Sequence, residues 1–512
     1  MISAFSALLY AFSFPKFSIS FFGFFFLVPL LYLSDREKTQ EKQRKQRGFL
    51  PFFIFAFISY LIILYWIPRV MVRYGDMSRP LSILGILLVA AFLSLFHGIA
   101  GMLIKKTALF MVPFIWIGKD LIIEKIFGGF PWCLAGYSQY ENIYFIQVAE
   151  IGGIHLVTFL LVCINTLFYW LIRNFRSKDI RNRAIAALLV SFIGIYTAGY
   201  FLFRVDSQKT SGLSTHQAGI IQPNTNNDPI TREEKDRILH RLFTESEELT
   251  RRGAEFIVWP EHTVAIYPLQ TRTDYDRFDR FVRLNVPLLA GFTDYSSNLV
   301  IYNSAILFQK QGIEKYDKVH LTPFGEYVLF REVLFFVKRI TDEIADFTPG
   351  AAVHNLTLHG HAISTPICYE IIFPGLVRKF VSQGGELVVT ISNDSWFGNT
   401  SAPYQHLSMA VFRCIENRRY LLRSTTNGIS AVVNPGGEIL YQSSYNTADR
   451  FIGRFKYIKR KTFFTWCGYL FPYFCVVFLV LYLIKSFCGG VQGGQFFQKA
   501  PREASGRRRQ KQ

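Results

Sequence analysis

Five stretches of this chain, residues 49–67, 81–104, 151–172, 184–203 and 463–484, each hold 19 or more residues without Asp, Glu, Lys or Arg. A helix needs roughly 20 consecutive apolar residues to cross a bilayer. A soluble domain that left so many such stretches uncovered would aggregate. Shorter runs of the same kind cover 17–33 and 1–14, the latter broken off at Pro15-Lys16, and 107–123 is a weaker candidate interrupted by Lys119 and Asp120. The pattern predicts eight membrane spans, seven before a long polar block and one after it. Residues 1–33 read as a membrane hairpin or a single long anchor rather than a signal peptide. No Lys or Arg precedes their apolar run, and no small-residue cleavage site interrupts it.

Charge sets the orientation. Residues 35–47 carry six Lys or Arg and 173–183 carry five, while Lys105-Lys106 lie between two spans and Arg507, Arg508, Arg509 and Lys511 end the chain. Basic segments stay preferentially on the cytoplasmic side, which puts 68–80, 124–150 and 204–460 on the other. The formal charge of +19 and the pI near 9.5 are therefore topological. They are not the footprint of a nucleic-acid partner. Only 18% of residues are charged and half are hydrophobic, which excludes a disordered or collagen-like chain.

The expected organisation is a transmembrane region over 1–203, an extracytoplasmic α/β domain over 215–457, a last transmembrane helix over 463–484 and a basic cytoplasmic tail over 486–512. Within the polar block, Ala218–Ile221, Phe256–Trp259, Pro287–Gly291, Ser304–Phe308, Ala362–Ile367 and Leu387–Ile391 read as buried strands. Thr231–Arg252 reads as a helix with a Thr231/Glu234 capping box and Gly253 as its stop. Tyr404–Arg423 reads as a second helix. Strands alternating with helices imply a layered α/β domain, and no internal repeat is visible.

The seven cysteines contain no C-x-x-C pair, and only Cys368 and Cys414 fall in the polar block. That is neither a disulfide framework nor a zinc site. Three residues carry the chemical argument: Glu261 after FIVWP, Lys318 in KYDKVHLTPFGEY and Cys368 in TPICYEIIFP. A thiol that attacks a carbonyl, a carboxylate that takes its proton and a cation that stabilises the oxyanion are what acyl transfer through a thioester requires. On spacing alone, a Cys ending a buried strand is more often packing.

The words around these residues shift that balance. WPE, K-x-D-K-x-H-L-x-P-F-G-E, C-Y-E and S-N-D-S-W-F-G, in this order, resemble the nitrilase (carbon–nitrogen hydrolase) superfamily with its Glu-Lys-Cys triad. Gly129-Phe130-Pro131-Trp132, Pro323–Tyr327, Ser392–Gly398 and Pro403–His406 through Glu416–Arg419, together with the membrane layout, resemble the apolipoprotein N-acyltransferase family. The resemblance covers nearly the whole chain. It implies Glu261 as general base, Lys318 as oxyanion stabiliser and Cys368 as nucleophile, with Glu326, Tyr369 and Glu370 in supporting roles. It also implies an αββα sandwich on the periplasmic face of an eight-helix base in the bacterial inner membrane. The acyl donor is then a phospholipid, typically phosphatidylethanolamine, and the acceptor the α-amino group of a diacylglyceryl-cysteine on an apolipoprotein. No metal and no cofactor enter. One departure stands out: the family usually carries a Trp shortly after Gln222-Pro223-Asn224, and here TNNDPITREEKDRI follows without one.

Several residues have blander alternatives. Trp396 and Phe397 line an acyl pocket or belong to ordinary core. Glu326 tunes the triad or simply pairs with a nearby Lys. His97 and His155 read as packing, Glu124, Glu141 and Glu150 as groups in interfacial water, and Cys414 as structural. Asn393, Asp394 and Asn399 lack the ligand spacing of a calcium loop. A membrane-anchored amidase with water as acceptor shares the triad; a non-catalytic scaffold and a transporter are weaker alternatives.

Overall fold

A computed structural model describes residues 1–39, 48–75, 77–225, 231–296, 300–327 and 347–488. The tail beyond 488, most of the basic loop 35–47 and part of the stretch after Asn224 lie outside the described residues. Each predicted apolar run contains helix: Ile2–Phe12, Val28–Thr39, Phe49–Ile63, Arg79–Lys106, Val112–Lys125, Ala149–Arg173, Lys178–Ser211 and Leu470–Cys488. Among them three are long and apolar enough to cross a membrane. A fourth candidate is Phe49–Ile63 with the short helix Ile67–Tyr74, a pair bent by 52° at the break. Val112–Lys125 keeps Lys119, Asp120 and Glu124 inside the bundle. Lys119 pairs with Asp120 at 2.5 Å and meets His97 Nε2 at 3.0 Å, so the interruption in the sequence is a self-paired buried cluster.

The polar block folds into two six-stranded sheets. The first holds β1 (His216–Gln222), β2 (Phe256–Val258), β3 (Leu288–Tyr295), β4 (Ile301–Gln309), β5 (Gly312–Asp317) and β12 (Asp449–Phe455), in the order β12-β1-β2-β3-β4-β5. The second holds β6 (Leu356–Leu358), β7 (His361–Ser364), β8 (Leu387–Ser392), β9 (Leu421–Thr425), β10 (Ala431–Val433) and β11 (Ile439–Gln442), in the order β11-β10-β9-β8-β7-β6. Each sheet has three parallel strands at its centre, β1-β2-β3 and β7-β8-β9, flanked by antiparallel ones.

Period-two side-chain alternation sorts the faces. Ala218, Ile220, Phe256, Val258 and Leu289 meet Ile363, Leu387, Val389, Ile391 and Leu422 between the sheets. Behind the first sheet, Ile221, Ile257, Leu288 and Ala290 pack on the helices Arg232–Arg251 and Arg272–Leu284. Behind the second, Val388, Leu421, Ala431 and Val433 share one core with Leu407, Met409, Ala410, Phe412 and Cys414 and with the membrane helices. The architecture is a helix–sheet–sheet–helix sandwich, and its lower helix layer, Pro374–Ser382 and Ala402–Asn417, is also the roof of the membrane base.

Thr231 caps its helix by accepting from Glu234 N at 3.2 Å, as the capping box predicts. The second predicted helix is corrected. It ends at Asn417, because Arg418 turns left-handed (φ 50°, ψ 57°) and sends the chain back into β9. That turn aims Arg418 at the membrane base. Its guanidinium is fully buried, donates to Glu150, to Gln147 Oε1 at 2.7 Å and to Pro435 O at 3.1 Å, and lies 3.8 Å from Asp206. Arg413, one turn earlier, holds Ile372 O and Tyr137 OH at 3.0 Å each and pairs with Glu416 at 2.7 Å. Glu416 in turn accepts from Ile154 N at 2.9 Å. That amide is available because Gly153 (φ 66°, ψ −166°) breaks the helix Ala149–Arg173 just before it, a conformation open to glycine.

Two further expectations are corrected. The predicted span 184–203 belongs to a helix of 34 residues running from Lys178 to Ser211, which at 1.5 Å per residue reaches about 50 Å, well beyond a hydrocarbon core of about 30 Å. Its extra turns carry Asp206 and Thr210, whose backbone oxygen accepts from Lys456 Nζ at 2.8 Å. Glu124 does not sit in interfacial water: it is 3% exposed, 3.2 Å from His155 Nε2 and bonded to Tyr469 OH. Glu150 is likewise engaged by Arg418, while Glu141 is exposed. Arg418→Ala should therefore lower stability by on the order of 3 kcal/mol, read as a fall in the thermal midpoint of the detergent-solubilised protein. The exposed Arg454→Ala should leave that midpoint unchanged.

Candidate active site

The carboxyl ends of the central strands converge where the two sheets face each other. Glu261 follows β2 by three residues. Its Oε1 accepts from Asn303 Nδ2 at 2.7 Å and its Oε2 from the backbone N of Asn393, just past β8, also at 2.7 Å. Both lone-pair directions of the carboxylate are thus fixed, one from each sheet. Lys318 is the first residue after β5. Its ammonium is 1% exposed, 2.8 Å from Glu326 Oε2, 3.3 Å from Thr322 Oγ1 and 3.7 Å from Glu261 Oε1. Burial disfavours that charge, but the carboxylates of Glu326 and Glu261 outweigh it and hold Lys318 well above the ordinary lysine range. Burial likewise opposes the Glu326 carboxylate, and Lys318 overcomes it, with Asn303 and Thr322 N assisting. The nearby lysine with which Glu326 pairs is Lys318.

Cys368 follows β7 by four residues and opens a short 3-10 turn, Cys368–Ile372. Its backbone is left-handed (φ 50°), a conformation that a side chain with a Cβ resists and that lifts the thiol out of the strand direction. Glu370 holds this turn. Its Oε2 accepts from Ile367 N at 2.8 Å, and its Oε1 accepts from Tyr316 OH at 2.8 Å, Val319 N at 2.8 Å and His320 N at 3.0 Å. One carboxylate therefore staples the cysteine turn to the segment that carries Lys318. Burial pushes Glu370 up to about 7. Tyr369 OH donates to Gly129 O at 3.2 Å, tying the same turn to the membrane base.

Below the cysteine, His406 Nε2 lies 3.2 Å from Cys368 O, and its Nδ1 lies 3.1 Å from Arg423 Nη2. Arg423 also donates to Asp394 Oδ2 at 2.8 Å. Burial and the neighbouring Arg423 lower His406, which leaves Nε2–H as the donor to the cysteine carbonyl. Burial pushes the Cys368 thiol well above its usual range; Glu261 adds to the effect and Lys318 opposes it. The resting group is a thiol that feels both the Glu261 carboxyl and the Lys318 ammonium.

Phe397 sits against Trp66 (ring centroids 5.0 Å), Trp132 (6.0 Å) and His406 (5.9 Å), and Trp396 is half-buried beside it. These aromatic groups form the wall between the cysteine turn and the membrane base. The motifs of the sequence meet here. Trp132 Nε1 donates to Gln405 Oε1 at 2.8 Å, and Gln405 Nε2 reaches Pro15 O and Ile63 O at 3.2 Å each. Cys414 is fully buried in helix packing, as expected of a structural residue.

Residues 6–167 match the family model described as the apolipoprotein N-acyltransferase N-terminal domain, and residues 217–454 match the carbon-nitrogen hydrolase model. An apolipoprotein N-acyltransferase of Geobacter metallireducens is 30% identical over 496 residues, 93% of each chain. This chain belongs to the apolipoprotein N-acyltransferase family. A second member, from Aquifex aeolicus, is 27% identical over 86% of this chain and 95% of its own. Among solved structures, a Saccharomyces cerevisiae protein of the nitrilase superfamily aligns with a TM-score of 0.39 at 19% identity, over 48% of this chain and 91% of its own.

In this member of the family, the structure brings Glu261 within 3.7 Å of Lys318 and within electrostatic reach of Cys368; sequence reasoning did not single out Asn303, His406 as a holder of the cysteine, or the Arg423–Asp394 pair. Asn303 had no signal: it lies just before the strand read from the sequence, Ser304–Phe308, which the structure extends to Ile301–Gln309. Its Nδ2 also reaches Glu326 Oε1 at 2.6 Å, so it spaces the two carboxylates. Asn303→Leu should slow acylation of Cys368 by roughly 10–100-fold, read by intact mass after mixing with an acyl donor. Because the folded thiol is raised, thiolate is scarce at neutral pH and grows as pH rises. Peptide-resolved alkylation of Cys368 by iodoacetamide should accelerate from pH 7 to pH 9 without a plateau; a plateau by pH 7 would mean a preformed thiolate.

Proposed function

We propose that Glu261, Lys318 and Cys368 form the catalytic triad of an N-acyltransferase, with Glu326 and Glu370 positioning Lys318 and the cysteine turn. The observation that carries this reading is the single buried cluster in which Glu261, held by Asn303 and Asn393, lies 3.7 Å from Lys318, with Cys368 feeling the charge of both. The enzyme transfers a fatty acyl chain from a phospholipid, through a cysteine thioester, to the α-amino group of the N-terminal diacylglyceryl-cysteine of apolipoproteins.

The chemistry follows from the site. Cys368 Sγ attacks an ester carbonyl carbon of the phospholipid as Glu261 takes the thiol proton. The negative charge that builds on the carbonyl oxygen is met by the Lys318 ammonium, prepaired and dry, where such a donor acts most strongly. The C–O bond breaks, Glu261 returns the proton to the departing alkoxide, and lysophospholipid leaves a thioester on Cys368. A neutral α-amine then attacks that thioester, Glu261 takes the N–H proton, and as the C–S bond breaks Glu261 passes that proton to the departing sulfur, restoring the thiol and the free carboxylate. Phosphatidylethanolamine is the donor we favour. The aromatic wall of Phe397, Trp66 and Trp132 and the half-buried Trp396 support an acyl-binding role for Trp396 and Phe397, and they lower the water activity that would otherwise discharge the thioester.

We place the catalytic domain on the periplasmic side of a bacterial inner membrane, above eight spans. The helix in each of the eight apolar runs supports that count, and the basic loops 35–47, 105–106 and 173–183 support that side. A reporter active only in the periplasm should work when fused after Phe203, and one active only in the cytoplasm when fused after Ile484; the reverse pattern contradicts this placement.

The rival reading, an amidase with water as second nucleophile, shares the triad and is separated by the fate of the thioester. Phospholipid alone should release one equivalent of lysophospholipid and stop. A diacylglyceryl-cysteine peptide should then discharge the enzyme and gain the acyl mass on its α-amine, and its N-acetylated form should not. Continuous release of free fatty acid without peptide makes the protein a hydrolase. Cys368→Ser should nearly abolish the burst, Lys318→Ala should slow it by roughly 10²–10³-fold, and Cys414→Ser should leave it intact.

A further inference from the structure

The short helix Ile67–Tyr74 leaves the bundle at the 52° bend after Ile63 and lies along the loop that follows β8. Tyr65 OH accepts from Ser401 N at 3.0 Å, and Trp66 packs on Phe397. Arg69 and Arg73, one helical turn apart and so on one face, open onto a cavity of about 340 Å³. Its other walls are Ser395, Gly398 and Asn399 of the loop after β8, Asn427, and the Tyr445-Asn446 turn. The lining offers two guanidinium groups, three amides and two hydroxyls, and no carboxylate lines it among the described residues. Arg69 has no hydrogen-bond or ion-pair partner among the described residues. It lies where a side chain at Gly398 would be: a Cβ there would come within 2.1 Å of Arg69 Nε, and Gly398 has a positive φ of 59°. The glycine of the S-N-D-S-W-F-G motif thus leaves room for a guanidinium.

Topology does not account for these charges. Residues 68–80 hold three arginines and one aspartate in a short loop on the side of the membrane where orientation does not call for basic residues. Paired arginines on one face, ringed by neutral hydrogen-bonding groups, match the chemistry of a phosphodiester. The cavity also has the right neighbour. From Gly398 the chain of contacts runs through Phe397 to His406, whose Nε2 bonds Cys368 O. In a glycerophospholipid only the glycerol unit separates the phosphate from the ester to be cleaved, so a headgroup site has to adjoin the cysteine.

We propose that the Arg69–Arg73 cavity binds the phosphodiester of the glycerophospholipid acyl donor and so fixes its ester carbonyl against Cys368. This rests on the reading of the chain as a phospholipid-consuming acyltransferase. The test uses the full-length protein in mixed micelles, with acyl-enzyme formation at Cys368 followed by intact mass against the mole fraction of phosphatidylethanolamine. A p-nitrophenyl acyl ester, which has no phosphate, is the second donor. The variant R69Q/R73Q should raise the half-saturating phospholipid fraction by at least roughly tenfold and leave the maximal rate within about threefold. The ester should acylate both proteins alike, and R69K/R73K should fall between them, since lysine keeps the charge but loses the fork. Equal half-saturation of wild type and R69Q/R73Q overturns the site. So does an equal loss with both donors, which makes the arginines structural. Inhibition of the wild type by millimolar inorganic phosphate, with phospholipid saturation unchanged in the variant, identifies a free-anion site and overturns the lipid assignment. A wild type that forms no acyl-enzyme from either donor removes the acyltransferase reading itself and the site with it.

Discussion

The buried ammonium of Lys318 is the constraint around which the catalytic domain is arranged. An unpaired charge at that depth costs several kcal/mol, so the fold must bring carboxylates to it from elsewhere in the chain. Glu326 arrives from the loop eight residues on and Glu261 from the end of β2, and Asn303 in β4 keeps the two acids apart by donating to both. The cluster thus sets two acidic side chains against one ammonium. Removing Glu326 would therefore disturb Lys318 before it disturbed Glu261.

The second constraint is the layer shared between domain and membrane. In a free-standing sandwich the helix Ala402–Asn417 would show one face to water; here that face joins the core of the membrane base. The charged residues along it, Arg413, Glu416 and Arg418, are wholly buried and bonded to Tyr137, Ile154, Gln147 and Glu150. Such a latch specifies one orientation, because its groups are satisfied only when those partners align. The cysteine turn joins it through Tyr369 and Gly129, and the loop after β8 joins it through Phe397 and Trp66. The active site is consequently built partly from the membrane base, which is the geometry an enzyme needs when its acyl donor does not leave the bilayer.

Much of this was legible in the sequence, and the gaps have physical reasons. Uncharged runs mark membrane helices because lipid leaves them no alternative. The Thr231 cap and the strands Ala218–Ile221 and Leu387–Ile391 follow from local rules. Local rules fail where a distant partner decides. Nothing in Glu416-Asn417-Arg418-Arg419 signals a left-handed arginine, because that conformation is stabilised by Glu150 and Gln147, more than 260 residues earlier in the chain. Glu124 looked like a loop-edge acid and proved buried because His155 comes to it from the helix Ala149–Arg173 and Tyr469 from the turn before Leu470–Cys488. The helix Lys178–Ser211 outruns its apolar stretch because its polar end has a domain to stand against. The residues proposed as the triad stand in motifs that can be read from the sequence, whereas Asn303 and His406, which contact Glu261 and the Cys368 carbonyl, have no local mark.

The account turns on one covalent species, an acyl thioester on Cys368 drawn from the lipid around the protein. The direct measurement is the intact mass of the full-length protein purified from its native membrane with no donor added. The expected result is a population heavier by a fatty acyl chain, localised to Cys368 by fragmentation, released by neutral hydroxylamine and missing from Cys368→Ala. An unmodified Cys368 throughout, or an acyl mass that resists hydroxylamine or maps to another residue, would contradict it.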